Sequence, residues 1–339
     1  MDFELLIQNP KFKIENFRKV KILANDGISA LGQELLEKAG YTVITEKVNQ
    51  EDLAKAVNEN NIEMVLVRSA TTVRKEVIDA CPNLKLIGRG GVGMDNIDVA
   101  YAREKGLTVI NTPASSSQSV AELVMGNLFS ISRFLNDSFK NMETGDFSVL
   151  KKNYAKGVEL RGKTLTIIGF GRIGQSLASY ALGAGMDVVA VDSFIKEPIT
   201  IEVQIGTKQT AKVEITPIAS LEEGIKVADY ISIHVPKQAD GSAVITTKEF
   251  EIMKKGVRLV NAARGGVINE TDLLAAIESG KVAAAALDVF DNEPNPRKDL
   301  LNNAKIATTP HIGAATLEAQ DRIGSELADL IIGQFGKLN

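Results

Sequence analysis

The sequence predicts an α/β protein made of two doubly wound lobes, each a parallel sheet covered by helices on both sides. Three observations predict it. The chain has 339 residues, room for roughly two domains of ~150 residues each. Short apolar runs alternate with helix-like stretches along most of its length, the pattern of consecutive β–α units. Finally, a G-x-G-x-x-G spacing, suited to a tight strand-to-helix turn, occurs twice, in LIGRGGVG (86–93) and IIGFGRIG (167–174).

Residues 1–17 form a polar leader with no clear period. VKILAN (20–25) reads as a strand. SALGQELLEKAG (29–40) puts Leu31, Leu35 and Leu36 on one face and stops at a glycine, so it reads as a helix. YTVIT, IEMVLV, LKLIG and LTVIN continue as strands with helical stretches between them. SSSQSVAELVMGNLFSISRFLND (115–137) opens with serines and then reads as one long, mostly apolar helix, suited to a core position or to a subunit interface. A second series begins at KTLTIIG (163–169) and continues through MDVVAVD, DYISIHV, VRLVNA, AAAALDVF and KIATTP to a last helix at 315–335. Within it, TIEVQI and AKVEIT alternate apolar and polar residues around GTKQT and read as a β-hairpin. The chain crosses between lobes near 112–118, and a cleft beside the carboxyl ends of the strands is the expected ligand site.

Composition narrows the function. Lys+Arg is 39 and Asp+Glu is 43, a formal charge of −4 with no basic block, so nucleic acid is not an expected partner. No run approaches the ~18 apolar residues of a membrane span, and MDFELLIQNP lacks the basic start of a signal peptide. Cys81 is the single cysteine, which excludes an intrachain disulfide and a thiolate metal cage. No metal site is expected, and a cytoplasmic location fits.

The two glycine loops are not equivalent. A dinucleotide-binding turn needs an acid about 20 residues on, at the end of the next strand, to accept from the ribose hydroxyls. At matching distances stand Asn111 after the first loop and Asp192 after the second. The first loop also runs into Asp95 and Asp98, whose charges would compete with a phosphate, whereas the second is followed by RIGQSLASYALGAG, with no acid before Asp187. The second loop is therefore the expected dinucleotide site, through Gly169, Gly171, Arg172, Ile173 and Gly174. A carboxylate at Asp192 favours the 2′-hydroxyl of NAD over the 2′-phosphate of NADP.

Hydride transfer to or from a carbinol needs a proton carrier, and the chain has two histidines. His234 ends the predicted strand in ISIHVP. His311, in TTPHIGAAT, has companions that also follow predicted strand ends: Arg264 in NAARGGVINE, and Asp288, Glu293 and Pro294 in LDVFDNEP. All could converge on one sheet edge.

In this order, GFGRIG, NAARGGVIN, ALDVFDNEP and TPHIGAAT resemble the successive signatures of the D-isomer-specific 2-hydroxyacid dehydrogenase family. The resemblance implies a Rossmann NAD-binding domain (115–311) inserted into a flavodoxin-like, discontinuous substrate domain (1–114 and 312–339). It implies that Arg264 holds the substrate carboxylate, His311 is the acid/base, and Glu293 pairs with His311 and raises its pKa. Asp288 would contact the nicotinamide amide. His234 and Pro236, with Ala262, would shape the cofactor cleft. The first loop would belong to the substrate lobe, where the backbone of Arg89, Gly90, Gly91 and Val92 grips the substrate anion, a purely structural turn being the alternative.

VRSATTV (67–73), GRGGVGMDNID (88–98) and NTPASSSQSVAEL (111–123) are most similar to the substrate-lobe signatures of members acting on D-3-phosphoglycerate. Arg68, with Arg89, would then face the phosphate of a small phosphorylated 2-hydroxy acid. The implied reaction is NAD-dependent oxidation to 3-phosphohydroxypyruvate, the first step of serine biosynthesis. Glycerate or hydroxypyruvate reduction, or another D-2-hydroxyacid, is the alternative on the same machinery, and an NAD(H)-sensing corepressor-like binding protein is a third. The resemblance further implies a homodimer or higher homo-oligomer. The chain stops at Asn339, soon after His311, so the serine-sensing ACT domain of many such enzymes is not expected.

Overall fold

A computed structural model describes residues 20–338. The chain divides into two compact units. Among the described residues, the first holds 20–90, Met94–Thr112 and 323–338. The second holds Gly91–Gly93 and Pro113–Arg322. The polar leader (1–17) lies outside the described residues.

The first unit is built on strands β1 (Lys21–Ala24), β2 (Thr42–Ile44), β3 (Met64–Val67), β4 (Leu86–Arg89) and β5 (Thr108–Asn111). They form one parallel sheet in the order β2-β1-β3-β4-β5, the doubly wound order typical of flavodoxin-like folds. Its strands are apolar at successive positions because both faces are covered. Ile22, Met64, Leu66 and Leu86 pack on one face with Ile323, Leu327 and Ile331 of the C-terminal helix Leu317–Phe335. Leu23, Val65, Val67 and Ile87 pack on the other with Leu53, Val57 and Ile78.

The second unit contains β6 (Thr164–Ile168), β7 (Asp187–Val191), β8 (Ile199–Ile205), β9 (Gln209–Ile215), β10 (Tyr230–Ile233), β11 (Val257–Asn261), β12 (Val282–Leu287) and β13 (Ile306–Thr308). Six of them form a parallel sheet, β13-β12-β11-β10-β6-β7. A single bridge, Val191 to Ile218, marks a vestigial strand outside β7. The order reverses between β6 and β10, the switch point that defines a Rossmann-type crevice. Two cores again cover its faces: Leu165, Ile167 and Tyr230 on one, Ile168, Ile231 and Ile233 on the other.

β8 and β9 pair antiparallel as the expected hairpin, and Ile201, Val203 and Ile215 tuck its alternate side chains into the first of these cores. The expected single helix over 115–137 is instead two helices, Ser117–Arg133 and Leu135–Asn141, broken at Phe134, which adopts a left-handed φ of 59°. The longer one is a core helix on one side, through Val120, Val124, Leu128 and Ile131. The units divide at Thr112/Pro113 and Arg322/Ile323, against the expected 114/115 and 311/312. Residues 312–322 stay with the second unit because Asp288 accepts from the amides of Ile312 and Gly313, and Arg322 donates to the Ser115 carbonyl at 2.9 Å.

Candidate functional site

In the second unit, β6 ends at Ile168 and the helix Arg172–Gly183 starts three residues after Gly169. Each glycine of this turn has its own reason. Gly169 sits at φ +90°, and a Cβ there would lie 2.8 Å from the His234 carbonyl oxygen. Gly174 presses the helix onto the turn, where a Cβ would lie 2.4 Å from the Gly169 carbonyl oxygen. A Cβ on Gly171 would meet nothing within 4 Å, so no protein atom requires a glycine there. In a dinucleotide turn the glycine at this place lets the backbone approach the pyrophosphate. The helix N-terminus at Gly171 has no side-chain cap, leaving its amides for an anion.

Asp192, just past β7, reaches back to this turn. One carboxylate oxygen accepts from the Phe170 amide at 2.9 Å, and the other from the amides of Phe194 and Ile195 at 2.9 and 3.2 Å. Arg172 is exposed and Ile173 half-buried beside it. His234 follows β10, across the switch point from β6. Its Nε2 lies 2.8 Å from the Ser232 hydroxyl, and its buried Nδ1 has no protein partner. Burial lowers its pKa to about 4, so this imidazole stays neutral near pH 7 and is unsuited to carry the reaction's proton. Pro236 is exposed two residues on, and Ala262 is buried at the end of β11. These residues fit a dinucleotide.

Three further turns at the carboxyl ends of β11, β12 and β13 bring together the remaining candidates of this unit. Asn261 folds the first: its side chain accepts from the Ala263 amide at 3.0 Å and donates to the Arg264 carbonyl at 2.9 Å. Gly265 and Gly266 then lie directly on the second turn, since a Cβ on Gly265 would fall 1.8 Å from the Phe290 carbonyl oxygen. Glu293 curls back to accept from the Phe290 amide at 2.9 Å with one oxygen, and its other oxygen lies 2.8 Å from His311 Nδ1. Partial burial would raise the Glu293 pKa. The bond to His311, the Phe290 amide, and the charges of His311 and Arg264 outweigh burial and hold it below the ordinary carboxylate value.

His311 adopts φ 55°, a conformation uncommon for a residue with a side chain. The turn around it rests on Asp288, which is 0% exposed. Its carboxylate accepts from the Thr309 hydroxyl at 2.6 Å and from the amides of Ile312 and Gly313 at 2.8 and 2.9 Å. Asp288 therefore lies beneath the His311 turn, most of its accepting capacity already used there. Sequence reading did not single out Asn261, Thr309 or Ser119, whose hydroxyl donates to the Gly313 carbonyl at 2.8 Å. For Asn261 a signal existed, since an Asn at a strand end commonly folds the following residues through its side chain.

In the first unit, Arg68 follows β3 and Arg89 ends β4, adjacent strands of one sheet. The Gly90 amide donates to the Val67 carbonyl at 2.9 Å, and a Cβ on Gly90 would lie 3.5 Å from Arg68 Cγ. Gly91 and Val92, which follow in the chain and belong to the second unit, are at φ 144° and exposed respectively. Arg68 is half-buried, and burial lowers its pKa against the opposing charge of Asp26.

Residues 125–313 match the family model for the D-isomer specific 2-hydroxyacid dehydrogenase, NAD binding domain. The chain is 40% identical to a hydroxypyruvate reductase of Thermotoga maritima over 94% of its own length and 99% of that protein's. It is 38% identical to a D-3-phosphoglycerate dehydrogenase of Methanocaldococcus jannaschii over 92% of its length but 57% of that protein's, so it spans little more than half of such relatives. It superposes with a TM-score of 0.77 and 26% identity on an NAD-dependent formate dehydrogenase from Staphylococcus aureus in complex with NAD, covering 95% of this chain and 97% of that one. The chain belongs to the D-isomer-specific 2-hydroxyacid dehydrogenase family. Its second unit carries that family's NAD-binding domain, and the cofactor is NAD.

Proposed function

We propose that this protein is an NAD-dependent dehydrogenase oxidising D-3-phosphoglycerate to 3-phosphohydroxypyruvate, with His311 as acid/base. The observation that carries the catalytic part is the 2.8 Å pair between Glu293 and His311 Nδ1, with the Arg264 turn packed on the same segment. Glu293 fixes the imidazole through Nδ1, which leaves Nε2 to take the C2 hydroxyl proton. NAD, when bound, would supply the acceptor for the C2 hydride. Arg264 offers a planar fork that binds the substrate carboxylate. Gly169, Gly171, Arg172, Ile173, Gly174 and Asp192 hold the dinucleotide, and His234, Pro236, Ala262 and Asp288 shape the surroundings of its nicotinamide half.

The phosphate preference rests on the first unit. In the order β2-β1-β3-β4-β5 the chain reverses direction between β1 and β3, and the crevice at that reversal is where such sheets bind ligands. Arg68 stands at the β3 side of it, with Arg89 and the backbone of Gly90, Gly91 and Val92 as the further anion grip proposed there. Hydroxypyruvate reduction is the second reading, favoured by the match over 99% of the Thermotoga reductase.

Reduction of 3-phosphohydroxypyruvate and of hydroxypyruvate by NADH, measured in parallel, tests the proposal. The phosphorylated compound should have the higher kcat/KM, and Arg68→Ala should erase most of that advantage by raising its KM. His311→Ala should lower kcat for both by about 10²–10⁴-fold. A preference for hydroxypyruvate that Arg68→Ala leaves unchanged would establish the reductase reading. We further propose a homo-oligomer in the cytoplasm, supported by exposed Phe139, Phe147 and Val149 on the second unit and by the lone buried Cys81. A monomer mass in sedimentation, or recovery of the native protein outside the cytoplasm, would contradict it.

A further inference from the structure

Arg68 does not hang on an unsupported loop. The residues after β3 are gripped by side chains from two other carboxyl ends of the first sheet. From the end of β1, Asp26 directs one carboxylate oxygen to the amides of Arg68 and Thr71 at 2.7 and 3.0 Å, and the other accepts from the Thr71 hydroxyl at 2.7 Å. From the segment after β4, the Asn96 side-chain amide donates to the carbonyls of Arg68 and Thr71 at 2.8 and 2.6 Å. Asn25, 1% exposed, completes the arrangement by donating to the Thr71 hydroxyl at 2.8 Å, while the Val48 amide and carbonyl hold its own side chain at 2.8 and 3.0 Å.

The chemistry of this grip is asymmetric. Asp26 takes donors only and Asn96 supplies donors only, so the Arg68–Thr71 turn is fixed through both its amides and its carbonyls. Asp26 and Arg68 also follow the carboxyl ends of the two strands that flank the reversal point of the sheet, β1 and β3. A carboxylate this close to a guanidinium could neutralise it through a direct ion pair. Here three donors from Arg68 and Thr71 occupy the carboxylate, and no direct bond between the Asp26 and Arg68 side chains is seen. Charge-assisted bonds of this kind are about twice as strong as neutral ones, enough to hold a short turn in one conformation.

We infer that Asp26 is a positioning residue: it fixes the Arg68–Thr71 turn through its backbone and so presents the Arg68 guanidinium preformed to an anionic group of the substrate. This rests on the phosphate role proposed for Arg68. Preformed geometry spares the ordering cost of binding, so its loss appears in KM for the phosphorylated substrate and not in kcat.

Two readouts on the full chain test the inference. Amide hydrogen exchange reports the grip without reference to activity. In Asp26→Ala, exchange at Arg68 and Thr71 should accelerate at least tenfold, while Gly90, whose amide donates to Val67 in the sheet, stays protected. NADH-driven reduction reports the consequence. KM for 3-phosphohydroxypyruvate should rise about tenfold at nearly constant kcat, KM for hydroxypyruvate should move less than twofold, and Asp26→Ala should add nothing in an Arg68→Ala background. Asp26→Asn, which keeps one accepting oxygen, should show the same effects at smaller size and serves if the alanine variant does not fold. Unchanged exchange at Arg68 and Thr71 overturns the inference, as does an Asp26→Ala effect of equal size with and without Arg68. If Arg68→Ala leaves the two substrates' KM ratio unchanged, the phosphate reading fails, and Asp26 is then judged on exchange alone.

Discussion

The two glycine loops share a spacing and differ in almost everything that the spacing is used for. In the second, three residues separate the end of β6 from the helix that begins at Arg172, so the helix amides open directly onto the turn. In the first, β4 ends at Arg89 and the next helix begins only at Val99, so no helix N-terminus faces the glycines. Gly88 is still inside the strand, and a Cβ on it would lie 2.5 Å from Leu66 Cδ2 and 3.4 Å from Leu327 Cδ2. That glycine admits core side chains against the sheet, whereas Gly171 leaves space that no protein atom fills. Asp98, in the position to repel an anion, is turned to the protein itself, accepting from the Lys75 amide at 3.0 Å and from Arg74. The same spacing therefore packs core side chains against Gly88 in one unit and leaves open space at Gly171 in the other. The deciding information lies in the distance to the next helix and in the acid after the following strand, not in the glycines.

Substitutions can break this comparison or sharpen it. The largest expected effect is at Gly171. Ala there has room in the protein but occupies the approach of the pyrophosphate, so the NAD dissociation constant should rise at least tenfold with the melting temperature unchanged, measured by titration and calorimetry. Asp192→Asn should come next. Loss of a charged acceptor for ribose hydroxyls costs about 1.5–3 kcal/mol, and discrimination against the 2′-phosphate should narrow, measured as the ratio of kcat/KM for NAD and NADP. An unchanged ratio would remove Asp192 from the cofactor site. The smallest effect on cofactor should come from Gly88→Ala, which instead overpacks Leu66 and costs about 1–3 kcal/mol of stability, read as a denaturation midpoint shifted at constant NAD affinity.

Much of this was legible in the sequence because parallel sheets with two covered faces write themselves as apolar runs. β3, MVLV, is buried at every position, and β10, YISI, likewise. The hairpin was legible for the opposite reason: β8 shows its inner side at every second residue, with Ile201 and Val203 buried and their neighbours exposed. The break at Phe134 was not, because nothing in LFSISRFLND disfavours continuing the helix. The turn there is made by Phe134 at positive φ, stacked on Tyr154 with ring centroids 5.7 Å apart, a contact twenty residues away in the chain. At the candidate site, the convergence of His311 with Glu293 could be expected from their places after predicted strands. The work of Asp288 could not. Its carboxylate is committed to Thr309, Ile312 and Gly313, and no spacing rule distinguishes an acid that faces a ligand from one that supports the turn beside it. Asp26 went unnoticed in the same way, since its partners at Arg68 and Thr71 are backbone groups that any residue type would provide.

The claim on which the rest depends is that the glycine turn after β6, and not the one after β4, receives NAD. Calorimetric titration of NAD into the unsubstituted protein, Gly171→Ala and Gly88→Ala, side by side, tests it most directly. The account predicts one tight site in the unsubstituted protein, the same affinity in Gly88→Ala despite its lower stability, and an affinity at least tenfold weaker in Gly171→Ala. Undiminished binding by Gly171→Ala together with a loss of binding in folded Gly88→Ala would contradict it.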